Sequence, residues 1–308
     1  MKFACLRKLF YVAVATCCIG AALPAVADEI VVQHSRGETR LPERPKTVVA
    51  FDLSAIDTLS TLGVAVAGMP RIAALPAFLK DRDLAAAVPV GTLFEPDYEA
   101  VAALRPDLII VGGRSAAKYD DLAKIAPTVD LSLDDRAYLK SAEANIATLA
   151  RLFGKEDLAR GKLAALNAAV DALKAKTAGA GSGLMVLTTG GRMSTFGAGS
   201  RFGILFTDFG MKQVNPDIKI GLHGQPVSFE YILAQNPDWL FVLDRDAAIG
   251  REGEAAKALL DNALVGETTA WKRGQVVYLD AAAWYLVGGG LTALQVMTDQ
   301  LNGALGSH

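Results

Sequence analysis

DYEAVAALRPDLIIVGGR, residues 97–114, and SFEYILAQNPDWLFVLDR, residues 228–245, are two versions of one phrase. A uniform shift of 131 places Glu99 on Glu230, Pro106 on Pro237, Asp107 on Asp238 and Arg114 on Arg245. The apolar positions follow the same register. Each copy reads as a helix, a Pro-Asp stop, a strand and a terminal arginine. LIIV at 108–111 is a continuous apolar run, the pattern of a parallel strand covered on both faces. A register held through helix, stop and strand marks an internal repeat and predicts two similar lobes. Ligands of open α/β sheets bind at the carboxyl ends of strands, where each copy presents its arginine.

The flanking sequence extends the pattern. Residues 47–51 form a β-branched apolar strand, Asp52 and Ser54 offer helix caps, and Ile56, Leu59 and Leu62 recur at helical spacing up to Gly63. Segments 64–68 and 88–91 read as further strands. Around the second copy, 184–187, 202–209, 229–235, 239–243 and 276–279 continue a strand–helix series, and a last helix runs from Leu291 to about Leu301. Between the two series lie 141–153 and 155–178, rich in Ala, Leu, Lys and Glu. The second of these would be about 36 Å long as a helix, enough to span a lobe. The predicted class is α/β: two Rossmann-like lobes with mainly parallel sheets joined by a long interdomain helix. The expected division is an N-terminal lobe at 28–152, the connecting helix at 153–179 and a C-terminal lobe at 180–308.

The chain has 308 residues, room for two lobes, and is 52% hydrophobic but only 7% aromatic. Charged residues at 21% and frequent turn signals argue against a disordered or polytopic membrane protein. A net charge of -2 argues against bulk nucleic-acid binding by charge. Residues 1–27, MKFACLRKLFYVAVATCCIGAALPAVA, have a basic start, an apolar run and a small-x-small end before Asp28-Glu29. That is the layout of a cleaved secretory signal peptide. An uncleaved anchor is the alternative, its apolar stretch of about 18 residues being at the lower edge of spanning length. Cys5, Cys17 and Cys18 all lie in this segment, so the mature chain from Asp28 can form no disulfide. The residues before Cys17 and Cys18 match a lipoprotein signal poorly, which favours a soluble periplasmic protein over a lipid-anchored one. The segment takes three of the 31 basic residues and no acidic ones, leaving 28 against 33 and a net charge of -5. An anion site in such a protein must come from locally placed arginines.

Candidate chemistry is sparse. The histidines are His34, His223 and His308. His223 lies in GLHGQPVSFE, where flanking glycines suit an exposed, steerable imidazole; a plain surface histidine fits the pattern equally. Arg201, in FGAGSRFG, lacks the spacing of a dinucleotide fingerprint or P-loop but stands where a helix start would favour anions; the plain alternative is an exposed turn arginine. Tyr285, in YLDAAAWYLVGGG, is either an aromatic packed under a glycine loop or a phenol facing the cleft. A trivalent metal would deprotonate such a phenol and gain a hard anionic ligand. There is no G-x-S-x-G, H-E-x-x-H or cysteine nucleophile, so no enzyme is expected. So few histidines also argue against a multi-histidine zinc or manganese site.

The export signal, the long connecting helix and the paired E-x-x-x-A-x-x-P-D segments together resemble the periplasmic binding proteins that deliver iron–siderophores, haem or cobalamin to ABC importers. The likeness spans the mature chain. SRFG at 200–203, GLHG with the later VLDR, and DAAAWYLVGGG resemble the catecholate-siderophore branch. The alanine-rich AAAWY departs from that pattern, and 80–87 offers no family signature. The resemblance implies that Arg114, Arg201 and Arg245 face an anionic ligand and that His223 and Tyr285 coordinate its iron. Glu99 and Glu230 would dock on basic pockets of the permease, one from each lobe. Ferric iron would then be cargo and no cofactor permanently bound; the protein would be a monomer that binds no nucleic acid. Two catecholates fill about four of six positions on ferric iron and leave a charge near −1, so a His and a Tyr could complete the sphere. Haem on the same fold is the nearest alternative. Cobalamin gives three arginines less to do, and a periplasmic enzyme on a Rossmann-like scaffold lacks a nucleophile.

Overall fold

The computed structural model describes residues 29–306, apart from 81, 83, 222 and 252–255. The proposed export segment and His308 lie outside the described residues. A hairpin of β1 (Ile30–His34) and β2 (Gly37–Leu41) leads into the first sheet. That sheet contains β3 (Val48–Ala50), β4 (Gly68–Met69), β5 (Val88–Pro89), β6 (Leu108–Val111) and β7 (Thr128–Asp130), in the order β5-β4-β3-β6-β7. All four pairings are parallel. The predicted strand at 64–68 is shorter and later, because only Gly68 and Met69 meet their neighbours in register.

The second sheet comprises β8 (Ser182–Thr189), β9 (Arg192–Thr195), β10 (Lys212–Gln213), β11 (Gln225–Val227), β12 (Trp239–Asp244) and β13 (Val276–Tyr278). Its order is β11-β9-β8-β12-β13, with β10 also on β8. The β10, β12 and β13 pairings are parallel, whereas β9 is antiparallel to both β8 and β11. The sheet is thus parallel apart from a hairpin turned at Gly190-Gly191, which the sequence reading did not foresee. Residues 202–209 hold no strand, only a short helix, Ile204–Thr207.

β6 is sandwiched as its apolar run predicts, and β12 is sandwiched likewise. Leu108 and Ile110 enter the core beneath the first helix, Leu53–Thr61, while Ile109 and Val111 meet Val101 and Leu122 on the other face. Trp239, Phe241 and Leu243 join the same large core from the second sheet, and Leu240 and Val242 pack with Ile232 and Val265 behind it.

The repeat persists in the backbone. Asp97 and Ser228, 131 apart, cap the helices Tyr98–Ala103 and Phe229–Gln235. Arg105 and Asn236, also 131 apart, are the only non-glycine residues with positive φ among those described, at 47° and 42°. Each ends its helix so that the Pro-Asp can turn into the strand. The two aspartates then do the same job. Asp107 accepts from Lys46 N (2.9 Å) and Thr47 N (2.8 Å), Asp238 from Ser182 N (2.8 Å), each tying its strand to the start of the neighbouring one.

Helix Tyr138–Phe153 leads into the connecting helix, Glu156–Thr177, whose 22 residues span about 33 Å. Gly154 stands between them at φ 65°, a left-handed conformation that a side chain rarely adopts. The last helix, Leu291–Gly306, packs on the connecting helix and on the first helix. Its free N–H groups are satisfied by the other lobe: Asp57 Oδ2 accepts from Thr292 N (2.8 Å) and Ala293 N (3.0 Å), and Thr58 Oγ1 from Leu291 N (3.3 Å). Gly290 lies against the Asp57 carboxylate with no room for a Cβ. This buried joint ties the last helix to the first.

Candidate functional site

β13 is followed by a short π-helix, Ala282–Val287, that carries Tyr285. Asp280 fixes its start by accepting from Ala283 N at 2.7 Å. Three arginines from three segments meet there. Arg245, directly after β12, donates from Nε to the Tyr285 hydroxyl at 2.8 Å and from Nη1 to Thr189 Oγ1 at 3.2 Å. Arg201 donates to the Tyr285 carbonyl and sets its guanidinium 4.3 Å from the ring centroid. Arg114, in the 3-10 turn Gly113–Lys118 after β6, donates to Tyr285 O (2.7 Å) and Leu286 O (3.1 Å). Its guanidinium is 5.4 Å from the same ring and that of Arg245 5.6 Å.

None of the three forms an ion pair among the described residues. Their combined charge acts on the phenol. Burial alone would raise the Tyr285 pKa, but the Arg245 hydrogen bond and the charges of Arg201, Arg245 and Arg114 outweigh it and hold the phenol below its ordinary value. Burial and the neighbouring Arg201 lower Arg114, which as a guanidinium nevertheless stays charged. Guanidinium forks without ion-pair partners, set around a phenol of lowered pKa, have the chemistry to hold an anion carrying a hard metal.

Three further groups line this place. Asp52 caps the first helix beside Gly112; burial lifts its carboxyl to about 6 against the pull of backbone N–H groups and Arg114. Burial likewise raises Asp135, opposed by Arg201, and pushes the Tyr138 phenol upward. Asp52 was legible as a helix cap at a strand end. Nothing in the sequence marked Asp135 or Tyr138.

The structure brings Arg114, Arg201, Arg245 and Tyr285 together, but not His223. His223 is exposed and makes no side-chain hydrogen bond or ion pair among the described residues. The next residue, Gly224, abuts Phe196, which packs edge-on against Phe202 at 4.9 Å; Phe202 in turn lies 6.4 Å from Tyr285. Two aromatic rings therefore separate the histidine loop from the phenol. Among the described residues no three His, Cys, Asp or Glu side chains cluster to hold a metal. Glu99 and Glu230 are exposed in the first turns of the two repeated helices. A helix leading into a parallel strand runs antiparallel to it, so both glutamates sit at the strands' carboxyl edge, the edge that carries the arginines.

Residues 48–283 match the family model described as periplasmic binding protein, and the chain belongs to that family. The chain is 39% identical over 284 residues to the petrobactin-binding protein YclQ of Bacillus subtilis, covering 90% of this chain and 89% of that one. The crystal structure of YclQ superposes with a TM-score of 0.86 at 38% identity, over 90% of this chain and 99% of that one. The ferric-anguibactin-binding protein FatB of Vibrio anguillarum is 35% identical, over 88% of this chain and 86% of its own. The periplasmic catecholate-siderophore binding protein VctP of Vibrio cholerae superposes at a TM-score of 0.85 with 31% identity, over 90% of this chain and 100% of its own. The two-lobed fold expected from the repeat and the family expected from the resemblance are both borne out.

Proposed function

We propose that this chain captures a ferric catecholate siderophore outside the cytoplasmic membrane and hands it to an ABC permease, without catalysing a reaction. The observation that carries this reading is the convergence of three guanidinium groups without carboxylate partners on Tyr285. The names of its relatives, binders of siderophore-bound iron and of catecholate siderophores, support it. Iron arrives as cargo already wrapped in oxygen donors, so the protein need only recognise the complex and complete its coordination. Arg114, Arg201 and Arg245 are assigned to the catecholate oxygens. Tyr285 supplies a phenolate to one vacant position of a bis-catecholate complex. His223 supplies the second, from an exposed loop that folds in past Phe196 and Phe202. A hexadentate tris-catecholate would need neither. Glu99 and Glu230 are assigned to the permease, one from each lobe. The division at 152 and 180 makes the connecting helix the link between lobes, and the Asp57 joint keeps closure small. The protein acts as a periplasmic monomer released by cleavage of its export segment.

Titration with ferric complexes of a bis-catecholate, a tris-catecholate, a hydroxamate and haemin tests this. Trp284, buried beside Tyr285, reports binding by fluorescence quenching. The bis-catecholate should bind with a displaced charge-transfer band, and Tyr285→Phe and His223→Ala should each move that band back. Unchanged spectra and affinities in both variants would refute direct ligation. A Soret band with haemin and no catecholate affinity would refute the assignment as a whole.

A further inference from the structure

The turn that aims Arg114 across the cleft is itself held at two points by one buried carboxylate. Asp130, the last residue of β7, is buried. Its Oδ1 accepts from Ser132 N (3.0 Å) and Ser132 Oγ (2.6 Å), and Ser132 Oγ in turn accepts from Gly113 N at 3.0 Å. Its Oδ2 accepts from Arg36 Nε (3.2 Å), and Arg36 Nη2 donates to Ala116 O at 2.8 Å. Arg36 is further seated over the Tyr119 ring at 5.2 Å. One arm therefore pins the first residue of the Gly113–Lys118 turn and the other its middle, with Arg114 between them.

The opposite lobe has a parallel device. Asp246 accepts from Gly190 N (2.6 Å) and Thr189 Oγ1 (3.3 Å), and Thr189 receives the Arg245 guanidinium. There the support touches the arginine side chain through a single hydroxyl. In the first lobe it acts only on the backbone, so the direction of Arg114 depends on the geometry of the turn. We infer that Asp130 is a positioning residue for ligand capture, holding Arg114 in its forked contact through Ser132 and Arg36. The inference rests on the proposed role of Arg114 in binding the ferric complex.

Asp130→Asn preserves shape but turns an amide donor toward Ser132 or Arg36, so one arm is lost. In the otherwise unchanged chain it should weaken binding of a ferric bis-catecholate about tenfold, the scale of a charged hydrogen bond. In an Arg114→Gln background it should cost less than about twofold, because the residue it serves is gone. Equal losses in both backgrounds, or no loss in the first, would overturn the inference. Ser132→Ala removes one arm alone and should weaken binding about threefold in a chain of unchanged circular dichroism, so a poorly folded Asp130 variant does not end the test. No loss in that folded variant would count against the clamp. A readout that needs no ligand separates this inference from the functional reading. The ¹⁵N–¹H signal of the Arg114 side chain, assigned by its loss in Arg114→Gln, should move in Asp130→Asn while that of Arg245 stays. Failure of every ferric complex to bind, with that shift present, would sink the functional reading and leave the clamp. A signal that does not move would sink the clamp.

Discussion

Segments 97–114 and 228–245 share a capped helix, a positive-φ residue, a Pro-Asp that ties two strands, and a final arginine. They part at that last residue. Arg114 leaves its own lobe and donates to two carbonyls of the other. Arg245 stays within its lobe and grips the Tyr285 hydroxyl. The two copies thus share what builds a lobe and differ in where the terminal arginine reaches. One arginine bridges the lobes and the other tunes a phenol.

The largest test of this difference is affinity. Arg245→Met should cost about 3 kcal/mol of binding to a ferric bis-catecholate, since it removes a charged fork and also weakens the phenolate; Arg114→Met should cost about half as much. Equal losses in isothermal titration would erase the distinction. The phenol reports it more directly. In ultraviolet difference spectra, Arg245→Met should raise the Tyr285 titration by about 1–2 pH units. Arg114→Met, which removes the charge that acts least of the three on the phenol, should raise it by less than half of that.

The lobes also differ at the end of their first strands, where one has Asp52 and the other Thr189. Asp52 keeps its proton up to about 6 in the folded chain and loses it near 3.8 when exposed. The folded state therefore binds the extra proton between those values. The resulting stabilisation is complete below the lower value and is lost as pH rises through the upper one. Raising the pH from 4 to 7 should remove about 1–2 kcal/mol, read as a falling melting temperature, and Asp52→Asn should remove this component of the slope. The smallest effect should fall on the conserved half of the comparison. Asp107→Ala and Asp238→Ala should each cost about 1 kcal/mol in urea denaturation. A clear inequality would show that the two Pro-Asp stops are not equivalent.

Much of this was legible in the chain. The apolar run at 108–111 read as a doubly covered strand and 239–243 as its repeat, with Arg114 and Arg245 at their ends. What escaped was non-local. The β9 hairpin depends on pairing with β8, and its four residues, Arg192 to Thr195, include a single apolar one, Met193. The second strand slid to Gly68-Met69 because register, not composition, decides which residues pair.

By itself the sequence determined the two lobes, the connecting helix and the strand ends at which Arg114 and Arg245 stand. These follow from periodicity, stops and repetition, all of which are local in the chain. Tertiary structure alone decided that the three arginines share one tyrosine, that His223 stands apart from it, and that Asp57 caps a helix 235 residues away. Those facts depend on where separate segments meet, and packing distances carry no signature in the order of residues.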